Sequence, residues 1–268
     1  MSKKKSLWER IKYNDIMFNV DEELGKAVAN ASNYSAIERL LEIGANPYQE
    51  TIVGSNQTTS FRQASRQGNI DLMSKFLEAE CTNNETSANE IINSRRSAIK
   101  ADKVESLSYL FEQGYIQNIQ DDRLIASQSS SNKELMKQLF ENENLEPPKS
   151  EEIDQCFVAA AKYGNLDNMR YLNELGADIN ASDGNDNAIT ALAKHESLSH
   201  IHWKPIVTYL KDNNFSFDAK DINGESATEI AARNGHKDLV FHLDQDFPEE
   251  NIAKQRSSDV TFVPTVGL

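Results

Sequence analysis

Gly224-Glu225-Ser226-Ala227-Thr228-Glu229-Ile230-Ala231-Ala232-Arg233-Asn234-Gly235-His236 is the stretch from which the fold is read. Its centre is the small pair Ala231-Ala232, which lets a neighbouring helix approach closely where larger side chains would hold it off. Gly235 suits the left-handed residue that ends a helix. Leu239-Val240-Phe241-His242-Leu243 follows, a second apolar run, so the stretch reads as helix, turn, helix.

Working outward, three further segments repeat this order. Thr59-Ser60-Phe61-Arg62-Gln63-Ala64 continues through Gly68-Asn69 to Leu72, Met73, Phe76 and Leu77. Ala160-Ala161-Lys162-Tyr163-Gly164-Asn165 leads into Leu166, Met169, Tyr171, Leu172 and Leu175, apolar at three- and four-residue spacing. Ser97-Ala98-Ile99-Lys100-Ala101 leads to Leu107, Leu110 and Phe111. Ala64 and Ala98 lie 34 residues apart. A second glycine (Gly44, Gly114, Gly176) closes the second helix before a projecting loop. Such a unit cannot bury its apolar face alone, whereas a stack of units can. Thr59 and Ser226 stand where helix N-caps belong.

These residues resemble the ankyrin-repeat family, whose period is about 33 residues. The 224–236 stretch is similar to the family's Gly-x-Thr-Pro-Leu-His-x-Ala-Ala-x-x-Gly-His run, and Gly176-Ala177-Asp178-Ile179-Asn180-Ala181 to its Gly-Ala-Asp-Val-Asn-Ala junction. Weaker copies occupy 22–47, 123–143 and 187–214. The fourth has a polar first helix at Gln128-Ser129-Ser130-Ser131 and is expected to be the weakest joint. The sixth keeps Leu192-Ala193 and Ile206-Val207-Thr208-Tyr209-Leu210 around an insertion. No copy keeps Thr-Pro-Leu-His intact. The resemblance implies an all-α solenoid of about seven helix-turn-helix repeats with projecting hairpin loops. The expected organisation is a capping segment over 1–21, the repeats over 22–247 and a disordered tail over 248–268.

Composition narrows the function. Forty-two acidic against 28 basic residues give a net charge of −14 over 268 residues. Phosphate contacts dominate nucleic-acid affinity, so an acidic chain disfavours that partner. Apolar residues make up 38%, which suits a thin core one repeat deep. No run approaches the roughly 18 apolar residues of a membrane span. Cys81 and Cys156 show no metal spacing, and a reducing, cytoplasmic setting follows. Twenty-six asparagines suit turns and left-handed caps. The 248–268 tail is similar to export signals of bacterial secretion-system effectors, which implies translocation into a host cell as an alternative.

Catalytic patterns are lacking. His195, His200 and His202 share the insertion with Glu196, but zinc needs three or four converging ligands. No cysteine is near, so 194–204 reads as a solvated loop anchored by Trp203. There is no Gly-rich phosphate loop and no Gly-x-Ser-x-Gly elbow. No cofactor and no metal is expected, and an enzyme with a divergent site in the fourth to sixth repeats is the remote alternative. The resemblance implies instead a monomeric module that binds another protein through the concave face of its first helices and its hairpin loops. Motif alignment places Arg66-Gln67, Lys100, Lys162-Tyr163, Lys194 and Arg233-Asn234 at one point of the repeat. Two readings stay open for these residues: solvated helix surface, as the family commonly shows there, or a basic ladder for an acidic segment, with Tyr163 and Trp203 as aromatic anchors. The loop from Pro47 to Thr58, with Ile52-Val53-Gly54, is a second contact candidate.

Overall fold

The computed structural model describes residues 19–30, 34–79, 84–130, 132–198, 201 and 203–246. The expected cap over 1–21 falls mostly, and the expected tail over 248–268 wholly, outside the described residues, as do Cys81, His200 and His202.

Among the described residues the helices form seven consecutive pairs. They are α1 (Val20–Ala29) with α2 (Tyr34–Glu42), α3 (Ser60–Gln67) with α4 (Ile70–Glu78), and α5 (Asn84–Lys100) with α6 (Val104–Glu112). Next come α7 (Ile119–Ser129) with α8 (Lys133–Phe140), and α9 (Ser150–Lys162) with α10 (Leu166–Glu174). The last are α11 (Ala188–Ala193) with α12 (Trp203–Asp212), and α13 (Ala227–Arg233) with α14 (Lys237–Asp246). A hairpin, β1 (Thr51–Val53) and β2 (Asn56–Thr58), projects between α2 and α3.

Side-chain chemistry fixes where these helices start. Thr59 Oγ1 accepts the Arg62 N–H at 3.0 Å, and Ser226 forms a reciprocal capping box with Glu229. Asn19, Asn69, Asn165 and Asn187 cap α1, α4, α10 and α11 through their amide oxygens. Much of the asparagine excess therefore works at helix ends. First helices stop in a left-handed residue at Gly68, Gly164 and Gly235, and Asp102 (φ +54°) takes that place after α5. Each then bonds its following N–H five residues back, as from Asn69 to Ala64 O and from Lys103 to Ala98 O. Asn214 (φ +59°) does for α12 what Gly44, Gly114 and Gly176 do for α2, α6 and α10.

Two compact units divide the chain, Met1–Ile125 with Lys137–Leu145, and Ala126–Met136 with Glu146–Leu268. In the first, α1, α3 and α5 pack in succession and α4 lies against α6. Leu24, Val28, Ile37, Leu40, Phe61, Leu72, Met73 and Phe76 form one fully buried cluster. Each such side chain contributes about 1.5–3 kcal/mol when removed from water. Tyr48 joins it, its ring 5.2 Å from Phe61 and its hydroxyl donating to Phe76 O at 3.0 Å. In the second unit α9, α11 and α13 pack in succession, burying Phe157, Ile189, Leu192 and Ile230. Cys156 is buried there too.

Two expectations are corrected. The fourth repeat's first helix is Ile119–Ser129, with Ile119, Arg123 and Ala126 buried. Gln128-Ser129 is only its C-terminal end, where carbonyls lack helix partners. The insertion of the sixth repeat is not simply solvated, because Leu198 is buried and Ile201 occupies the space beside Gly164.

Candidate functional site

The β1–β2 hairpin turns through Gly54-Ser55, with Gly54 at φ +67°, and pairs Thr51 with Thr58, Ile52 with Gln57 and Val53 with Asn56. Thr51 and Val53 lie so close to α1 that a Cβ on Gly25 would sit 2.8 Å from Val53 Cγ2. That close approach requires glycine at 25 and fixes the hairpin against the first helix. Ile52, on the other face, is 67% exposed.

Between this hairpin and α3 lies an open groove of about 490 Å³. The hairpin contributes Val53, Asn56, Gln57 and Thr58, α3 contributes Arg62, Gln63, Arg66 and Gln67, and α5 contributes Ser97. Arg62 is already engaged, with Nε 3.0 Å and Nη2 2.5 Å from the buried Glu90 carboxylate, which also accepts the Thr59 hydroxyl at 2.6 Å. Arg66, one turn on, is exposed and has no carboxylate partner among the described residues. The amide oxygens of Gln63 and Gln67 are buried and accept no hydrogen bond. Among the described residues Arg66 is thus the groove's cation without a carboxylate partner, while the two amide oxygens are closed off from the groove.

The remaining ladder residues separate into three kinds. Lys100 is exposed with no carboxylate partner among the described residues. Lys162, also without one, holds its ammonium 5.9 Å from the Tyr163 ring, and Tyr163 (44% exposed) meets the His195 ring edge-on at 5.5 Å. Lys194 and Arg233 are taken up internally. Lys194 lies 2.7 Å from Asp186 and 2.8 Å from Asp221, and Arg233 pairs with Glu225 at 2.6 Å.

Gln67, Asn234 and Trp203 differ from the ladder expectation. The Gln67 amide donates to Val28 O at 3.3 Å and that of Asn234 to Ala193 O at 3.0 Å. Both reach the unpaired C-terminal carbonyls of the preceding first helix and tie repeat to repeat. Asn165 and His236, just after their glycines, do the same to Ser130 O (2.6 Å) and His195 O (3.0 Å). Trp203 is buried at the start of α12 with its ring edge-on to His242 at 5.3 Å, so it offers no face to a partner.

Sequence reasoning missed Gln63, and it read 47–58, the contact candidate that holds β2, as a loop without strands. Arg62 and Arg66, like Gln63 and Gln67, are four residues apart and share a helix face. A Gly-Ser pair between Val53 and Asn56 is also a hairpin signal.

Burial, the Lys162 charge and His236 hold the pKa of His195 below its ordinary value, Glu196 opposing them. His195 Nδ1 accepts the Ser197 N–H at 3.1 Å. Among the described residues no group of three His, Cys, Asp or Glu side chains converges to hold a metal, and no helix is long and apolar enough to cross a membrane.

No family model matches the sequence, and no curated protein matches it. Among solved structures, the crystal structure of the human ASB11 ankyrin repeat domain is similar, with a TM-score of 0.52 and 20% identity. The likeness covers 78% of this chain and 90% of that one. Seven consecutive helix pairs, with first helices packed in succession within each unit, agree with that likeness: the fold is that of an all-α ankyrin-repeat solenoid.

Proposed function

We propose that the chain is a protein-binding module that holds an acidic segment of a partner protein in the groove between the β1–β2 hairpin and α3. The observation that carries this reading is Arg66. In a chain of net charge −14, this guanidinium borders a groove and has no carboxylate of its own among the described residues. Arginine and a carboxylate make the stronger, charge-assisted kind of hydrogen bond. Lys100, at the same repeat position one unit on, adds positive charge to this half of the chain. Lys194 and Arg233 are excluded from the role because internal carboxylates already neutralise them.

The test is selection of random phage-displayed peptides on the full chain. Enriched peptides are expected to be acidic and to lose about tenfold in affinity, on the order of 1.4 kcal/mol, with Arg66→Glu. Arg233→Glu is expected to leave them unchanged. Peptides that lack carboxylates, or that ignore Arg66→Glu, overturn the proposal. The secreted-effector alternative rests on 248–268, outside the described residues, and no described feature favours it or a catalytic role.

A further inference from the structure

We infer that the partner segment binds as an added β-strand along the outer edge of β2, an inference that rests on the groove reading above. The argument begins in the other unit. There the projecting turns carry backbone bridges, Ser182 with Asn187 and Lys220 with Ser226. Ile222, in the second turn, donates its N–H to Asn185 O in the first at 2.8 Å. These two successive turns are therefore joined by a backbone bond.

The β1–β2 hairpin has no such neighbour among the described residues. Among the described residues the repeat that follows α3 and α4 has no short first helix, residues 80–83 lying outside them. It opens with α5, which starts at Asn84 and runs 17 residues, against 8 in α3 and 13 in α9. Helix backbone bonds to itself and offers no strand edge. Among the described residues β2 pairs with β1 alone.

The register says which groups the open edge presents. Val53 and Asn56 flank the two-residue turn and exchange backbone bonds across the hairpin. Pairs alternate in an antiparallel ladder, so Ile52 and Gln57 form the next, non-bonded pair. The N–H and C=O of Gln57 thus point away from β1, and Gln57 is exposed beside the groove. An extended segment satisfies them with its own backbone, as in strand-addition complexes. Its alternate side chains then face α3, where Arg66 fits a carboxylate. A bound helix cannot make the Gln57 contacts, because its backbone groups are already used.

The experiment uses the full chain and the acidic peptides selected above, with N-methylation scanned along the best one. Strand addition predicts loss of binding, about five- to tenfold, at alternate peptide positions only. Gln57→Pro is expected to bind about five- to tenfold more weakly, since proline removes the outward N–H without touching the ladder to β1. The N-methyl scan needs no protein variant, so misfolding of Gln57→Pro does not blunt the test. Peptides that need Arg66 but tolerate every N-methyl group and Gln57→Pro leave the groove reading standing and overturn strand addition. Peptides indifferent to Arg66→Glu, or the absence of any enriched peptide, overturn both.

Discussion

Arg95 and Asp122 form an ion pair in which both side chains are completely buried. The guanidinium also donates to Tyr115 O and Gln117 O, each at 2.5 Å, and lies 5.9 Å over the Phe111 ring. Its place in the repeat is the third residue before the small alanine, the position held by Phe61 and Phe157 in other copies. Arg123 holds the same position one repeat later, 5.6 Å over Phe140. A core arginine thus replaces a core aromatic twice. It spans the loop that a phenylalanine would leave with unpaired carbonyls.

Arg95→Leu is therefore expected to cost about 3–5 kcal/mol, because it removes the main partner of the buried Asp122 carboxylate and leaves it only Arg96 Nε at 3.4 Å. Arg95→Phe with Asp122→Leu is expected to recover part of that loss. Urea unfolding of the two variants checks the order. Equal destabilisation by single and double variants would show that the loop carbonyls, not the charge, set the cost.

Asn168 closes the fourth repeat. Its amide nitrogen lies 2.5 Å from Ser130 O and 3.2 Å from both Ala126 O and Ser127 O. The serine-rich stretch is thus held from the repeat that follows it. Asn168→Leu keeps the volume and removes the donors, at an expected cost of about 1–3 kcal/mol. Hydrogen exchange should accelerate at 126–130 while 203–212 stays protected. Unchanged protection at 126–130 would mean that this stretch does not depend on Asn168.

The helix pairs were legible in the sequence because close packing leaves a residue-type imprint. Ala64, Ala98 and Ala160 are small for contact, and Gly68, Gly164 and Gly235 carry a positive φ that side chains disfavour. Caps were legible for the same local reason, at Thr59 and Ser226. The candidate site was legible only in part. Arg66, Lys100, Lys162, Lys194 and Arg233 share one motif position, and the motif cannot say which cations meet a carboxylate. Asp186, Asp221 and Glu225 decide that for Lys194 and Arg233, from loops whose course the helical period does not encode. Gln67 and Asn234 were read as surface because the orphan carbonyls they cap belong to a different repeat. Trp203 was read both as the anchor of 194–204 and as a partner contact, because its ring partner His242 lies 39 residues on and leaves no local sign.

His195 should titrate below the ordinary histidine value of about 6.5. Burial disfavours its charged form, and the Lys162 ammonium and His236 add to that, against Glu196. Lys162→Ala is expected to raise the midpoint and Glu196→Gln to lower it further. NMR titration of the His195 ring reads both. A midpoint that Lys162→Ala leaves in place would remove the lysine from the account and with it the compact Lys162, Tyr163, His195 arrangement.

Asp221 and Lys194 make the second unit's stability depend on pH at both ends. The Lys194 ammonium, then the N–H of Glu225 at 2.8 Å and the Asn223 amide, hold the Asp221 carboxyl far below its usual range, burial working against them. Burial opposes the Lys194 charge, but Asp186 and Asp221 outweigh it and raise that pKa. For an acid with a depressed folded value, the stabilisation is full above the unfolded pKa of about 3.9 and is lost as pH falls through the folded one. For a base with a raised value, it is full below about 10.4 and is lost as pH rises through the folded pKa. The pair therefore stabilises across the interval between these limits. In Asp221→Asn the acid limb of the Tm profile should flatten, and in Lys194→Met both limbs should, since the lysine supports Asp221 as well as itself. An acid limb as steep in Lys194→Met as in the parent would assign the Asp221 shift to the Glu225 and Asn223 amides alone.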